Sequence, residues 1–284
     1  MGLRLAGKPV TEKIRESIKE RVEILKSDGI KPAMLILRVG ARAEDVSYER
    51  GILKTADLLG IRTIQEEIPE TVTTEEMIYR IKEANKDSEI HGIMMFRPLP
   101  EGLDEGAIIA AIDPAKDIDC MTESNLARVF EGREDAFAPC TPEAVIEMLK
   151  FYNINMSGAS VALLGRSMVV GKPLAMLLLN ENATVTICHS RTRGRQQITK
   201  TADIVISAMG RAKMLSAIDF NNTSVVIDVG INDDGNGGVC GDVDYDEVID
   251  SVNALNPAIG GLGTITTTLL LRHVVDACER QKRG

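Results

Sequence analysis

The stretch VALLGRSMVVGKPLAMLLLNENATVTICHSRT (161–192) decides how the chain is read. It opens on a short apolar run, 161–164, and turns through Gly165-Arg166-Ser167 to Gly171. A helix-like run, 173–179, follows, and then a second β-branched run, 183–188. Strand, glycine turn, helix and strand make one βαβ unit. Pro173 suits the first turn of a helix, where its missing N–H costs nothing. The free N–H groups at such a helix start hold anions, and a dinucleotide pyrophosphate is the usual guest.

The glycines are spaced G-x-x-x-x-x-G rather than G-x-G-x-x-G, so on pattern alone a turn that binds nothing stays open. The end of the second strand weighs against it. NAD-binding units place an acid there for the ribose hydroxyls. Here the chain reads His189-Ser190-Arg191-Thr192, with Arg193 and Arg195 behind. Ser190 and Arg191 can ligate a 2′-phosphate, and Arg166 can reach the same group. The pattern favours NADP over NAD; a solvated arginine loop is the plain alternative.

Composition narrows the classes. The 284 residues carry a formal net charge of -9, which argues against a nucleic-acid surface. Aromatic residues are 3% and tryptophan is absent, so base-stacking platforms are not expected. Hydrophobic residues are 44%, yet no apolar run is long enough to span a membrane. The start, MGLRLAGKPV, lacks the apolar core of a signal peptide. Cys120, Cys140, Cys188, Cys240 and Cys278 form no CxxC, which reads as reduced thiols in a cytoplasmic protein. His91, His189 and His273 lie far apart, and no metal centre is expected.

Around the central unit, strands and helices alternate. Helices are expected at 10–26, with Ile14, Ile18, Val22 and Leu25 on one face, and at 45–59. A third runs from a cap at Thr73 or Thr74 to 85, and a fourth spans 104–112. Thr141 is expected to cap a helix over 142–152, and 264–281 forms the last. Strands are expected at 33–39, 61–68, 92–96, 203–207 and 224–228. The 114–125 segment reads as a polar loop, 232–238 as a glycine-rich hairpin or loop, and 257–263 as another loop. The class is α/β with mainly parallel sheets, in two domains. The division expected is 1–141 plus 267–284 against 142–266.

The motif order resembles the bifunctional methylenetetrahydrofolate dehydrogenase/methenyltetrahydrofolate cyclohydrolase family over nearly the whole chain. The resemblance rests on Pro139-Cys140-Thr141-Pro142, Gly165-Arg166-Ser167 with Val170-Gly171-Lys172-Pro173, and Cys188-His189-Ser190-Arg191-Thr192. It rests also on Val226-Ile227-Asp228-Val229-Gly230-Ile231-Asn232, Gly241-Asp242-Val243 and Gly260-Gly261-x-Gly263. It implies an N-terminal α/β substrate domain, a Rossmann-type NADP domain, a folate cleft between them, a tetrahydrofolate substrate and a homodimer. It places the cofactor on Gly165, Arg166, Ser167, Ser190, Arg191 and Ile231, with Gly210 and Gly230 in bordering loops. Cys140 reads as packing, and His189 is given no proton role.

The chemistry of the first domain departs from the family. The family's Tyr is matched by Tyr48, but its Lys four residues on is Ile52. Lys54 lies about 200° round a helix from Ile52. The family's Gln before Pro-Leu-Pro is Phe96, followed by Arg97. Asp119 matches the acid that holds the pterin, with Cys120-Met121 in place of Gly-Phe. Hydride removal from the methylene carbon is driven by the adjacent nitrogens and needs mainly positioning, which Tyr48 and Asp119 supply. Ring opening by water needs proton transfer, which Ile52 cannot perform. The expectation is an NADP-dependent methylenetetrahydrofolate dehydrogenase with weak or absent cyclohydrolase activity. The alternatives are a fully bifunctional enzyme in which Lys54 or Arg97 takes over, and a non-catalytic folate- or NADP-binding homologue.

Overall fold

The computed structural model describes residues 2–283, which divide into two compact units. One comprises 1–11, 129–134 and 139–266; the other comprises 12–128, 135–138 and 267–284.

The first unit is built on a six-stranded parallel sheet. Its order is Leu3–Arg4, Ala254–Leu255, Val225–Asp228, Ile204–Ser207, Ser160–Leu164, Thr184–Cys188. Both central strands, Ile204–Ser207 and Val225–Asp228, are buried throughout, as continuous apolar β-branched runs covered on both faces should be. The chain leaves Ser160–Leu164 to one side for Thr184–Cys188 and then crosses to the other for Ile204–Ser207. That reversal makes the C-terminal end of Ser160–Leu164 the topological switch point, where open α/β sheets bind ligands. The Leu3–Arg4 strand had no sequence signal, because it is two residues long with both side chains exposed. The 232–240 segment is a short antiparallel hairpin, with Asn232–Asp233 paired to Val239–Cys240.

The second unit holds a three-stranded parallel sheet in the order Arg62–Ile68, Ala33–Val39, Gly92–Met95. All seven residues of Ala33–Val39 are buried. One of them is Arg38, whose Nε lies 2.7 Å from Glu49 on the Ala43–Leu59 helix, both side chains 8% exposed. Arg38 also reaches Glu67 on Arg62–Ile68 at 3.1 Å and the Gly40 carbonyl. A buried cation survives only with such partners, and here they lock the helix carrying Tyr48 to the sheet. Ile14, Ile18, Val22 and Leu25 are buried along the Gly7–Ser27 helix, as their spacing requires. Thr73 closes a full capping box with Glu76 at the start of Thr74–Lys86.

Two expected boundaries are corrected. Pro139 (φ -58°), not Thr141, precedes the helix, which spans Cys140–Phe151 and takes no side-chain cap bond. Proline already holds the flanking conformation, and Pro142 falls in the first turn where no N–H is needed. The 114–125 segment is not simply a polar loop. Asp117 and Asn125 are fully buried, and a helix, Glu123–Glu131, begins inside it. Asp117 accepts from the Met121 and Thr122 backbones, the Thr122 hydroxyl and the Asn125 amide, so its charge is spent on starting that helix.

Replacing Glu49 with Ala should cost about 3 kcal/mol in urea unfolding, because Arg38 is left buried with a partial set of partners. The double variant Arg38→Met/Glu49→Leu should recover most of that loss; an unchanged midpoint in Glu49→Ala would contradict the role given to the pair.

Candidate dinucleotide and substrate sites

The loops that follow three neighbouring strands of the large sheet enclose a cavity of 490 Å³. Gly165, Arg166 and Ser167 enter it after Ser160–Leu164; His189, Ser190 and Thr192 after Thr184–Cys188; Ala208, Met209 and Arg211 after Ile204–Ser207. The two glycines of the opening stretch are needed because chains cross there. A Cβ on Gly165, whose φ is +141°, would meet the Ala208 carbonyl oxygen at 2.5 Å. One on Gly171 would lie 2.4 Å from the Gly165 carbonyl oxygen. The irregular spacing therefore does the work of the commoner fingerprint, which is to let backbones approach where a ligand backbone must also come close.

The Gly171–Asn180 helix starts at this crossing. The Ser167 hydroxyl accepts from the N–H of Val170 at 3.1 Å and from that of Gly171 at 3.4 Å. Pro173 is the third residue of the helix and is buried. At the second strand end, the Thr192 hydroxyl accepts from His189 N–H, and His189 Nδ1 accepts from Arg191 N–H. His189 thereby closes its own turn. Cys188, buried at the cavity edge, has its thiol pushed up by burial, more than Arg195 nearby lowers it.

Of the six cofactor residues expected from sequence, Gly165, Arg166, Ser167 and Ser190 line one cavity. Arg191 stands on the same turn, exposed, but is not among the lining residues. Ile231 is 59% exposed and also not among them. Arg195, noted in the basic run behind Thr192, also lines the cavity and is held by Asp219 at 3.1 Å, while Met209 and Arg211 line it without having been singled out. Gly210 was the available signal, since a strand-end glycine marks where its neighbours face a ligand. The cavity thus combines Cβ-free backbone, a helix N-terminus and three arginines, Arg166, Arg195 and Arg211. That donor set fits a dinucleotide with an extra phosphate.

Behind the cavity lie two buried acids. Asp228 accepts from the N–H groups of Gly230, Asp242 and Val243, and Asn256 bonds its backbone on both sides. Burial nonetheless pushes its carboxyl up to about 6 against those three bonds, and the charge of Asp242 adds to the rise. Cβ atoms on Gly241 and Gly230 would strike Asp228 and Asp242 respectively. These contacts account for the glycines of the 226–243 motifs.

In the second unit, Tyr48 is 40% exposed on Ala43–Leu59 and meets Phe96 edge-on at 6.2 Å. Ile52, one turn on, is 0% exposed and part of the helix's inward face with Glu49, Thr55, Ala56 and Leu59. Lys54 is exposed, off that face. Arg97 lies 3.9 Å from Glu105, which also accepts from Leu99 N–H. Asp119 is half-buried, in a segment fixed on each side. Asp117 is spent as described, and the Ile118 carbonyl is 2.7 Å from His273 Nδ1. Lys116 donates to the Ala84 and Asp87 carbonyls, and burial lowers its pKa. The structure brings Tyr48 and Phe96 together and keeps Lys54 apart from the face that carries Ile52.

A parallel sheet with a phosphate-suited cavity at its switch point defines a dinucleotide-binding α/β protein, here with a second α/β unit. Residues 139–282 match the NAD(P)-binding domain of tetrahydrofolate dehydrogenase/cyclohydrolase, and residues 5–119 match its catalytic domain. The chain belongs to the tetrahydrofolate dehydrogenase/cyclohydrolase family. The bifunctional protein FolD of Clostridioides difficile (strain 630) is 49% identical over 277 residues, 98% of this chain and 96% of that one. The crystal structure of the bifunctional enzyme FolD from Campylobacter jejuni matches with a TM-score of 0.96 at 33% identity, covering 99% of each chain. The Trypanosoma brucei methylenetetrahydrofolate dehydrogenase-cyclohydrolase, crystallised with NADP and an inhibitor, matches at 0.92 and 29% identity, over 100% of this chain and 99% of that one. Among the described residues no helix is long and apolar enough to cross a membrane.

The raised Asp228 carboxyl has a definite sign. Its folded-state pKa, about 6, lies above the ordinary aspartate value of 3.8, so its protonated form stabilises the fold. That contribution, on the order of 3 kcal/mol, is complete below pH 4 and lost as pH rises through about 6. A carboxyl ¹³C titration should place the Asp228 midpoint near 6, and one below 4 would contradict the burial argument.

Proposed function

We propose that this protein oxidises 5,10-methylenetetrahydrofolate to 5,10-methenyltetrahydrofolate with NADP, and that its cyclohydrolase activity is weak or absent. The cofactor, when bound, supplies the hydride acceptor. Gly165, Ser167 and the start of Gly171–Asn180 would hold its pyrophosphate, and Arg166, Ser190 and Arg191 its 2′-phosphate. The arginines around the cavity support NADP, as does the cofactor of the Trypanosoma brucei neighbour. Asp119 would hold the pterin, and Tyr48 would flank the one-carbon unit.

The oxidation asks little acid–base work of the chain. The folate nitrogens push electrons toward the reacting carbon, and the residues need only orient it and exclude water. Hydrolysis of the methenyl product differs. Water must lose a proton as it adds, and the departing nitrogen must gain one. The observation that carries the reading is Ile52, apolar and 0% exposed at the position where the family's lysine stands. Phe96, buried and packed on Tyr48, takes the place of a glutamine that would orient such a group. An arginine such as Arg97 is a poor general base. Lys54 points off the inward face. A fully bifunctional enzyme needs one of these two cations to move. We also infer a homodimer, with 142–266 as the cofactor domain.

The purified protein should be incubated with 5,10-methylenetetrahydrofolate and NADP while NADPH and methenyl absorbance are followed together. One methenyl should accumulate per NADPH formed, and NAD should support a slower reaction. NADPH without methenyl accumulation would overturn the loss of hydrolysis; no NADPH would overturn the dehydrogenase reading.

A further inference from the structure

Asp242 is fully buried and accepts four hydrogen bonds, two on each oxygen. Oδ2 takes the Ser207 hydroxyl at 2.8 Å and Met209 N–H at 2.7 Å. Oδ1 takes Arg211 N–H at 2.8 Å and the Asn232 amide at 3.0 Å. Met209 and Arg211 line the cavity after one strand, and Asn232 belongs to the loop after the next. The segment around Asp242 runs alongside, with Lys213 and Leu215 N–H groups bonded to the Gly241 and Asp242 carbonyls. Gly230 packs against the carboxylate so closely that a Cβ would lie 2.2 Å from Oδ1.

We propose that Asp242 is a positioning residue for the dinucleotide: one carboxylate ties the 208–211 and 230–232 loops into a single rim and fixes how Met209 and Arg211 face the cavity. The inference rests on the dinucleotide reading above. Only a carboxylate satisfies these four donors. An asparagine offers one oxygen and an NH₂. The Ser207 hydroxyl can rotate and the Asn232 amide can flip to accept from that NH₂. The backbone N–H groups of Met209 and Arg211 cannot. Either orientation of an asparagine therefore leaves one part-buried rim N–H facing an NH₂ instead of an acceptor, which displaces the loop that bears it.

Calorimetric titration with NADP of the wild type, Asp242→Asn, Asn232→Ala and Ser224→Ala tests this, with steady-state KM values for both substrates. Ser224 is buried at the opposite end of its strand and serves as a destabilising control. Asp242→Asn should weaken NADP binding about tenfold or more, because a rim N–H loses its acceptor, and Asn232→Ala about threefold, because the carboxylate loses one of its four donors. The KM for methylenetetrahydrofolate should stay within about twofold in both, and Ser224→Ala should lower Tm without changing NADP affinity. Unchanged affinity in both rim variants would overturn the clamp. So would parallel losses in NADP affinity, folate KM and Tm across all three variants. If Asp242→Asn does not fold, Asn232→Ala decides alone. Failure of the wild type to bind NADP would overturn the cofactor reading, and the clamp with it.

Discussion

The rim of the large sheet's cavity depends on a buried carboxylate, Asp242, which accepts from Met209 and Arg211 N–H, and on a second, Asp228, which accepts from the backbone of Asp242 itself. A buried charge without partners is among the costliest things a fold can contain. Here the partners are mostly backbone N–H groups, of Met209, Arg211, Gly230, Asp242 and Val243. Satisfying the acids and fixing the loops are one event. The glycines at 230 and 241 follow from the same requirement, since any side chain there would occupy the space of a carboxylate oxygen.

The second unit solves a similar problem with a different outcome. Arg38 is buried in the central strand and recruits Glu49, which fixes the rotation of the Ala43–Leu59 helix. With Glu49 turned inward, Ile52 is turned inward too, Tyr48 stays at the edge against Phe96, and Lys54 is carried outward. Isoleucine at position 52 leaves no cation on that face, and the helix's orientation keeps Lys54 from reaching it. A helix rotated by two residues to bring Lys54 inward would unpair a buried arginine.

Much of the fold was legible in the sequence where the signal was local. The continuous apolar runs at 161–164 and 33–39 became buried parallel strands, and the face of Ile14, Ile18, Val22 and Leu25 became core. Gly165, Arg166, Ser167 and Ser190 were placed together because a βαβ unit brings successive strand ends to one edge. The rest depended on contacts between distant segments. Leu3–Arg4 is a strand only because Ala254–Leu255 pairs with it. Asp117 fell in a segment read as a polar loop, yet it is buried because Met121, Thr122 and Asn125 turn back to it. Arg211 and Asp242 entered the picture only when the third strand's loop was seen beside the first two. Ile52 and Phe96 are apolar by sequence, but their burial was a matter of packing.

The central claim is the proposal that this chain, with Ile52 four residues after Tyr48, has weak or absent cyclohydrolase activity. Its most direct test is to add 5,10-methenyltetrahydrofolate alone, without cofactor, and follow its decay against protein concentration, with Lys54→Ala run beside the wild type. The account predicts decay at or close to the buffer rate at every concentration of either protein. A decay rate that rises in proportion to wild-type protein would contradict it, and loss of that rise in Lys54→Ala would identify the exposed lysine as the group that carries the proton.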